Sequence, residues 1–422
     1  MSRIRNPVRY RHIKAAAILI SLLPGLLTSQ PARAYWELTP RIEGGITTET
    51  NPYNRIETQS YDGATGAFAD FRLEGSLQTP RDVVTLTPRL RSSRFAGSNE
   101  PLDDDDYWIN LDATHYWDTA NANLGVMYRD NGIRTSEFNT ANPGQTRDDS
   151  QSTWSFDPSL SYIFSARNSI QLTANWTDIT YDAPPQSGYY DYTNGSIQAT
   201  WIHAFSEKTS ALVAVNGGSF KASDPYSASR NNTDSFGGTL ALERKLSPTL
   251  TTTVTLGSSR STQDVEGLFF DPENPGFLCP TYPFALCSIS ENSNNFVGGI
   301  TLRQQSEVMT TTIDYSQSQA PRSNGTSVVS ESFRVNFQRT LSRKLDGSFN
   351  LLYTSDSALG NYGRQDRAYF SGNAALRYRL TRTLAVNGSY NYSVNNDDAN
   401  GAKQKNNSLF FSLIYTGVGI RR

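Results

Sequence analysis

The stretch WSFDPSLSYIFSARNSIQLTANW, residues 154–176, decides the fold. Trp154, Phe156, Pro158, Leu160, Tyr162 and Phe164 take the even positions, with Ser155, Asp157, Ser159 and Ser161 between them. After SARN (165–168) the alternation restarts, with Ile170, Leu172, Ala174 and Trp176 set against Gln171, Thr173 and Asn175. Successive side chains of a strand point to opposite faces, so each strand has one apolar and one polar face. A soluble sandwich alternates in the same way, so the fold turns on which solvent meets the apolar face.

The pattern recurs along the chain. It predicts strands over 36–48, 66–78, 82–95, 107–118, 122–131, 151–164, 168–181, 189–205 and 209–220. Nine more fall over 234–246, 249–261, 293–304, 308–317, 328–341, 344–355, 367–380, 383–394 and 406–417. Most exceed the ~5–6 residues usual in globular proteins and reach the ~9–11 that a tilted strand needs to cross a bilayer. Connections alternate too. TPRD (79–82), SARN (165–168), SPT (247–249), SRK (342–344) and TRT (381–383) are short. Those at 49–65, 96–106, 132–150, 221–233, 262–292, 318–327, 356–366 and 395–405 are long. Short turns on one side and long loops on the other mark a transmembrane β-barrel.

Aromatic residues gather at strand ends. Trp117, Phe164, Trp201, Phe205 and Tyr378 lie near the short turns, and Tyr128, Trp176, Tyr315, Tyr353 and Tyr392 near the long loops. Two such girdles match two lipid–water interfaces. The expected fold class is therefore all-β, a transmembrane antiparallel barrel of about 18 strands with short periplasmic turns and long extracellular loops. An even strand count returns both termini to the periplasm, and the apolar face meets outer-membrane lipid and lipopolysaccharide.

The opposite parity describes a lumen. It carries Arg41, Glu43, Asp70, Arg72, Glu74, Arg89, Arg91, Asp112, Arg129 and Asp157, then Glu243, Lys245, Arg303, Asp314, Arg334, Asp346 and Arg377. Hydroxyls and amides lie between them, among them Asn175, Asn336, Asn350 and Asn391. Barrels of ~16–18 strands leave an aqueous channel. The residues expected to line a solute path are Arg89, Arg91, Arg303, Arg334, Arg377, Asp157, Asp314 and Asn175, the arginines mattering most for an anionic polymer. Any wet lumen has this general composition, so the wall alone does not name a solute.

A net charge of -2 over 422 residues gives no sign of nucleic-acid binding. Residues 1–34 read as a signal peptide, leaving 35–422 as the barrel. Arg3, Arg5, Arg9, Arg11 and Lys14 precede an apolar run over 15–27 and an ARA cleavage site at 32–34. The two cysteines, Cys279 and Cys287, are expected to form a disulfide closing a short loop, with two free thiols as the alternative. They sit in the apolar, proline-rich 262–292 loop, which reads equally as a constriction folded into the mouth or as an outward loop with its own small core.

No cofactor or metal is expected. DDDD (103–106) lacks the spacing of an EF-hand loop and reads as a solvated acidic loop. A hydrolase would need a base, and His12 leaves with the signal peptide. His115 and His203 have lipid-facing parity beside Trp117 and Trp201, and no serine stands in a nucleophile motif. The expected function is therefore not enzymatic, unless a serine and a carboxylate converge on one of these histidines.

LTPRIEGGITTETNPYNR (38–55), VVTLTPRLRSSRF (83–95) and WSFDPSLSYIFSARNSIQLTANWTDITYD (154–182) carry a resemblance. In them the chain resembles a family of outer-membrane β-barrel porins whose members accompany exopolysaccharide assembly machinery. The resemblance implies an outer-membrane conduit of a Gram-negative cell for a secreted polysaccharide or other polar solute, with a periplasmic export complex as partner. The alternatives are a nutrient-uptake porin and a surface structural or adhesion protein whose barrel anchors its loops. The chain ends YTGVGIRR, without a terminal aromatic residue. Tyr415 is expected in the girdle, with the last residues overhanging.

Overall fold

A computed structural model of the chain describes residues 34–52, 63–96, 103–132, 150–182, 189–223, 230–267, 287–321, 327–358, 366–397 and 402–421. The strands are β1 (Tyr35–Glu49), β2 (Ala64–Gln78), β3 (Asp82–Ala96), β4 (Asp104–Tyr116), β5 (Ala120–Gly132) and β6 (Ser150–Ser165). They continue as β7 (Asn168–Asp182), β8 (Asp191–Ser206), β9 (Thr209–Ser223), β10 (Arg230–Lys245), β11 (Leu250–Gly267) and β12 (Cys287–Gln305). The last are β13 (Met309–Pro321), β14 (Ser327–Thr340), β15 (Leu345–Ala358), β16 (Arg367–Arg379), β17 (Leu384–Asp397), β18 (Ala402–Thr416) and the two-residue β19 (Ile420–Arg421). Each strand from β1 to β17 pairs antiparallel with the next. β18 returns to β1 from Arg41–Thr416 to Glu49–Ser408, closing an 18-stranded barrel.

The short turns have a local cause. A Ser or Thr opens most of them and accepts backbone N–H groups two or three residues on, which stabilises a tight reversal. Thr79 Oγ1 accepts from Asp82 N at 2.8 Å, Ser342 Oγ from Leu345 N at 3.1 Å and Thr381 Oγ1 from Leu384 N at 3.0 Å. Both described chain ends lie at this end of the barrel. Tyr35 pairs with Gln78, and Thr416 N reaches Thr383 O at 2.8 Å.

The outward face is the apolar one. Ile46, Phe71, Leu90, Leu240, Leu256 and Phe411 stand exposed around the circumference. The register joins Tyr315, Phe333, Tyr353 and Phe370 into one outward row over β13–β16. At the short-turn end Trp117, Trp201, Phe205 and Tyr378 are exposed. An apolar belt this continuous needs an apolar solvent, and only closure satisfies the backbone groups of a sheet within it.

Two expectations are corrected. The chain end does not overhang: past Gly417 and Gly419, Ile420 and Arg421 pair with Leu38 and Glu37, and Arg421 Nε lies 3.3 Å from Glu37 Oε1. Tyr415 does point outward, exposed. The strands also climb further than their alternation reaches. β11 and β12 continue as a ladder to Gly267–Cys287, so the segment expected as a loop over 262–292 is strand at both ends. Above the lipid the outward residues turn polar, as with Asp264, Glu266, Ser290 and Asn292, so the pattern ends before the hydrogen bonds do. Cys279 lies outside the described residues, and of Cys287 only its strand position is described, so the disulfide lies outside them too. Apart from Ala34, so does the signal peptide.

Leu240 and Thr239 are neighbours on opposite faces of β10. Replacing Leu240 by Arg should destabilise the refolded barrel by roughly 2–4 kcal/mol, as for a lipid-facing charge near the midplane. Thr239→Arg should cost far less in the same denaturant titration in lipid vesicles. Equal costs would contradict the assignment of faces.

Candidate functional site: the lumenal wall

Register fixes which inward residues meet. Asp70 lies between Glu43 on β1 and Arg91 on β3, but its carboxylate is held by Arg89, whose Nε and Nη2 donate to Oδ2 at 2.8 and 2.5 Å. Arg89 also lies over the inward Trp108 ring, 4.5 Å from its centroid. Arg41–Glu43 and Arg72–Glu74 are pairs two residues apart, at 2.9 and 3.3 Å. Arg379 Nη2 reaches Asp346 Oδ2 at 2.6 Å. Asp157 accepts from Asn175 Nδ2 and, at 2.7 Å, from Ser155 Oγ. Asp314 accepts from Thr301 Oγ1 at 2.7 Å, and Arg303 Nη2 donates to Gln305 Oε1 at 3.4 Å.

Arg91, Arg334 and Arg377 differ from these. Among the described residues none of the three makes a salt bridge. Arg91 lies over Phe68, 4.6 Å from its centroid, and its buried Nε has no partner. The Arg377 Nε is likewise buried without a partner. Inward charge is also unevenly spread. It concentrates on β1–β6 and β12–β16, whereas the described inward residues of β7, β8, β9 and β11 are uncharged.

A row of amides crosses five strands at one level: Asn336, Asn350, Asn373 and Asn391, ending at Ser408. Asn350 Nδ2 donates to Asn373 Oδ1 at 3.4 Å, Asn373 Nδ2 to Asn391 Oδ1, and Asn391 Nδ2 to Ser408 Oγ at 3.2 Å. The row faces a cavity of about 500 Å³ bounded by β1, β3 and β14–β18. Arg91, Arg334, Glu49, Phe95, Tyr369 and Phe410 also line it. A smaller cavity of about 230 Å³, lined by Asn194, Ser196, Asn216, Gly218 and their neighbours, has no charged residue among the described ones that line it.

The sequence reading treated this wall as hydroxyl, amide and charge, and so missed its inward aromatics. Phe68, Phe95, Trp108, Phe220 and Phe410 stand on the polar parity, where their break in the alternation is the signal that could have found them. Tyr181, Tyr189, Tyr192 and Phe220 form an aromatic cluster at the long-loop end, with Tyr181 and Tyr189 stacked at 5.0 Å.

The lumen narrows at that same end. The β12–β13 ladder stops at Gly298–Gln317, although both strands continue. Beyond it, Ser261 Oγ on β11 hydrogen-bonds Gln319 Oε1 on β13, and Ser327 Oγ on β14 lies 3.3 Å from Thr233 Oγ1 on β10. Strands two and four places apart can touch only if the β13–β14 tip bends across the inner faces of β10 and β11. Gly299 permits that bend, since a Cβ there would collide with the Tyr315 carbonyl.

The histidines sit outside the lumen at the short-turn rim. His115 Nδ1 lies 2.6 Å from Asp82 Oδ1 with its ring against Trp117, and His203 Nδ1 lies 2.8 Å from Asn168 Oδ1 between Trp201 and Phe205. Among the described residues no serine hydroxyl joins either pair. The DDDD run divides by parity. Asp105 faces outward above the lipid belt with Arg94, while Asp106 faces inward and accepts from Gly132 N at 3.1 Å. Four carboxylates therefore do not converge, and among the described residues no metal-holding group of three acidic, histidine or cysteine residues occurs.

No protein-family model and no curated protein matches the chain. Among solved structures it is similar to the open form of the ferric-catecholate import receptor Fiu of E. coli K12, at 10% identity over 89% of this chain and 81% of that one, TM-score 0.47. It is also similar to the siderophore receptor PiuA of Acinetobacter baumannii, at 9% identity over 90% and 82%, TM-score 0.47. A third likeness is to OccAB4 of Acinetobacter baumannii, at 13% identity over 93% and 100%, TM-score 0.39.

Two outcomes follow from this geometry. In a chain lacking both native cysteines, Ser261→Cys with Gln319→Cys should cross-link under mild oxidation, seen as a mobility shift on a non-reducing gel. Failure to cross-link while the barrel stays folded would contradict the bent tip. Separately, the Arg94 guanidinium and then the Ser92 hydroxyl hold the Asp105 carboxyl below the usual carboxylate range. Its contact therefore stabilises the rim above the unfolded carboxylate value of about 3.9 and is lost as pH falls through the lower folded value. A carboxyl NMR titration should place the Asp105 midpoint below that of a free Asp, and Arg94→Gln should raise it.

Proposed function

We infer that this protein is an outer-membrane channel that carries a polar solute, a secreted exopolysaccharide, through a hydrated lumen, with both termini in the periplasm. The observation that carries this reading is the polar inward face, which runs around all eighteen long strands of a closed barrel whose outward face is apolar. Barrels of this strand number leave room for water, whereas eight-stranded barrels are filled by their own side chains. The polysaccharide cargo rests on the resemblance borne by the 38–55, 83–95 and 154–182 segments. The lumen is also asymmetric, its inward residues being more accessible toward the short-turn end. On β6, for example, Gln151, Thr153 and Ser155 are buried while Ser159 and Ser161 are partly exposed.

Transport would be passive. Solute hydroxyls exchange water for weak, replaceable hydrogen bonds along the wall, and many weak sites let a chain leave as readily as it enters. Asn175, Asp157 and Asp314 supply amide and carboxylate contacts, and Arg89, Arg91, Arg303, Arg334 and Arg377 the cationic ones. Lipid and lipopolysaccharide surround the barrel, and a periplasmic export complex would deliver the polymer to the short-turn mouth. No cofactor and no bond-making chemistry is required.

The refolded protein in a planar bilayer should give steady single-channel conductance, and deleting its gene should reduce secreted polysaccharide. A silent bilayer together with unchanged secretion would overturn the channel reading and leave the barrel as an anchor for its loops.

A further inference from the structure

We propose that the cavity between β1, β3 and β14–β18 is a binding subsite for a carboxylate-bearing saccharide unit. The proposal deepens the channel reading and rests on it only for access through a wet lumen. Arg91 and Arg334 enter this one cavity from β3 and β14, and neither has a salt bridge among the described residues. Their register neighbours are committed elsewhere. Asp70 is held by Arg89, Asp106 accepts from Gly132 N, and Asp314 accepts from Thr301. A guanidinium whose buried Nε lacks a partner retains the donor geometry that matches an oxyanion in bidentate fashion.

The formal charge of the lining selects among oxyanions. Among the described lining residues, Arg91 and Arg334 contribute two positive charges and Glu49 one negative, a formal balance of one positive charge. That balance suits a monoanionic carboxylate better than a phosphate monoester, which carries about -1.5 to -2 near neutral pH. The amide row suits the remainder of a sugar. Asn350, Asn373 and Asn391 each use one N–H along the row, which leaves a second donor and spare oxygen lone pairs for hydroxyls. The amides repeat at the strand spacing of about 4.8 Å, so equivalent contacts recur along the wall. Phe95 and Phe410 add apolar surface for the C–H face of a ring. At about 500 Å³ the cavity lies within the range of small-ligand sites.

The test is calorimetry on the full chain in detergent micelles, with trigalacturonate as the acidic probe, maltotriose as the neutral one and glucose 6-phosphate as the phosphorylated one. Trigalacturonate should bind saturably and more tightly than the other two. Arg91→Gln and Arg334→Gln should each weaken it by about ten-fold or more, the usual loss for a charged hydrogen bond. Arg72→Gln, which alters an inward arginine outside the cavity, should leave binding unchanged. Should either glutamine variant fail to refold, Asn373→Asp places a negative charge in the amide row and should weaken trigalacturonate but not maltotriose. Equal binding of maltotriose, preference for the sugar phosphate, or indifference to these substitutions would overturn the subsite. Conductance of the same preparation without sugar reads the channel separately. An open channel that does not bind trigalacturonate sinks only the subsite, and a closed barrel that binds it sinks only the channel.

Discussion

The pairing of β18 with β1 is the constraint on which the rest depends. A sheet in hydrocarbon cannot leave a row of N–H and C=O groups unpaired, because each costs several kcal/mol without water. The ladder from Arg41–Thr416 to Glu49–Ser408 removes both edges at once, and β19 extends it toward the short turns. Once the sheet is closed, the two faces of every strand acquire fixed meanings. The one described opening, between β12 and β13, begins at Gly298–Gln317, where the last outward apolar groups are Phe296 and Tyr315. Above that level water can satisfy the freed backbone, which is why the β13–β14 tip can leave the wall and bend inward.

Inside the barrel the same geometry manages charge. Carboxylates and arginines two residues apart on a strand, or offset by two residues on neighbouring strands as with Asp70–Arg89 and Asp346–Arg379, come within contact distance because both project inward. Most inward arginines at the short-turn end are neutralised in this way, which limits the field that a passing solute meets there. Arg91, Arg334 and Arg377 depart from that rule, and the first two do so in the cavity that also carries the amide row. The wall is thus uneven: an uncharged hydroxyl and amide sector over β7–β9 stands apart from the charged sectors over β1–β6 and β12–β16, which contain the cations without salt bridges.

The barrel class was legible because closure leaves a local trace, a period of two repeated over lengths that a lipid crossing demands. The alternation in 154–176 assigned Trp154 and Trp176 outward, Asp157 and Asn175 inward, from neighbouring residues alone. The short turns were equally local, set by Ser and Thr accepting backbone N–H groups within three residues. Strand ends above the lipid were not legible. Asp264 and Ser290 belong to a continuing ladder, but once the outward face meets water nothing forces it to be apolar. The candidate site was legible only as a parity. That Asn350 meets Asn373 and Asn373 meets Asn391 follows from the registers of two separate hairpins, which no short window of sequence contains. Likewise, Arg91 and Arg334 share a cavity only because β1 closes against β18. The inward aromatics were hidden for a different reason: Phe68 and Phe410 break the alternation that the reading relied on.

The central claim is that one face of each strand meets lipid and the other meets water. The most direct test is single-cysteine scanning along β17 from residue 387 to 392, in a chain without native cysteines and refolded into vesicles. A charged, water-soluble thiol reagent should modify Asn387→Cys, Ser389→Cys and Asn391→Cys, and should spare Gly388→Cys, Tyr390→Cys and Tyr392→Cys. Uniform reactivity, or reaction only at the even positions, would contradict the account.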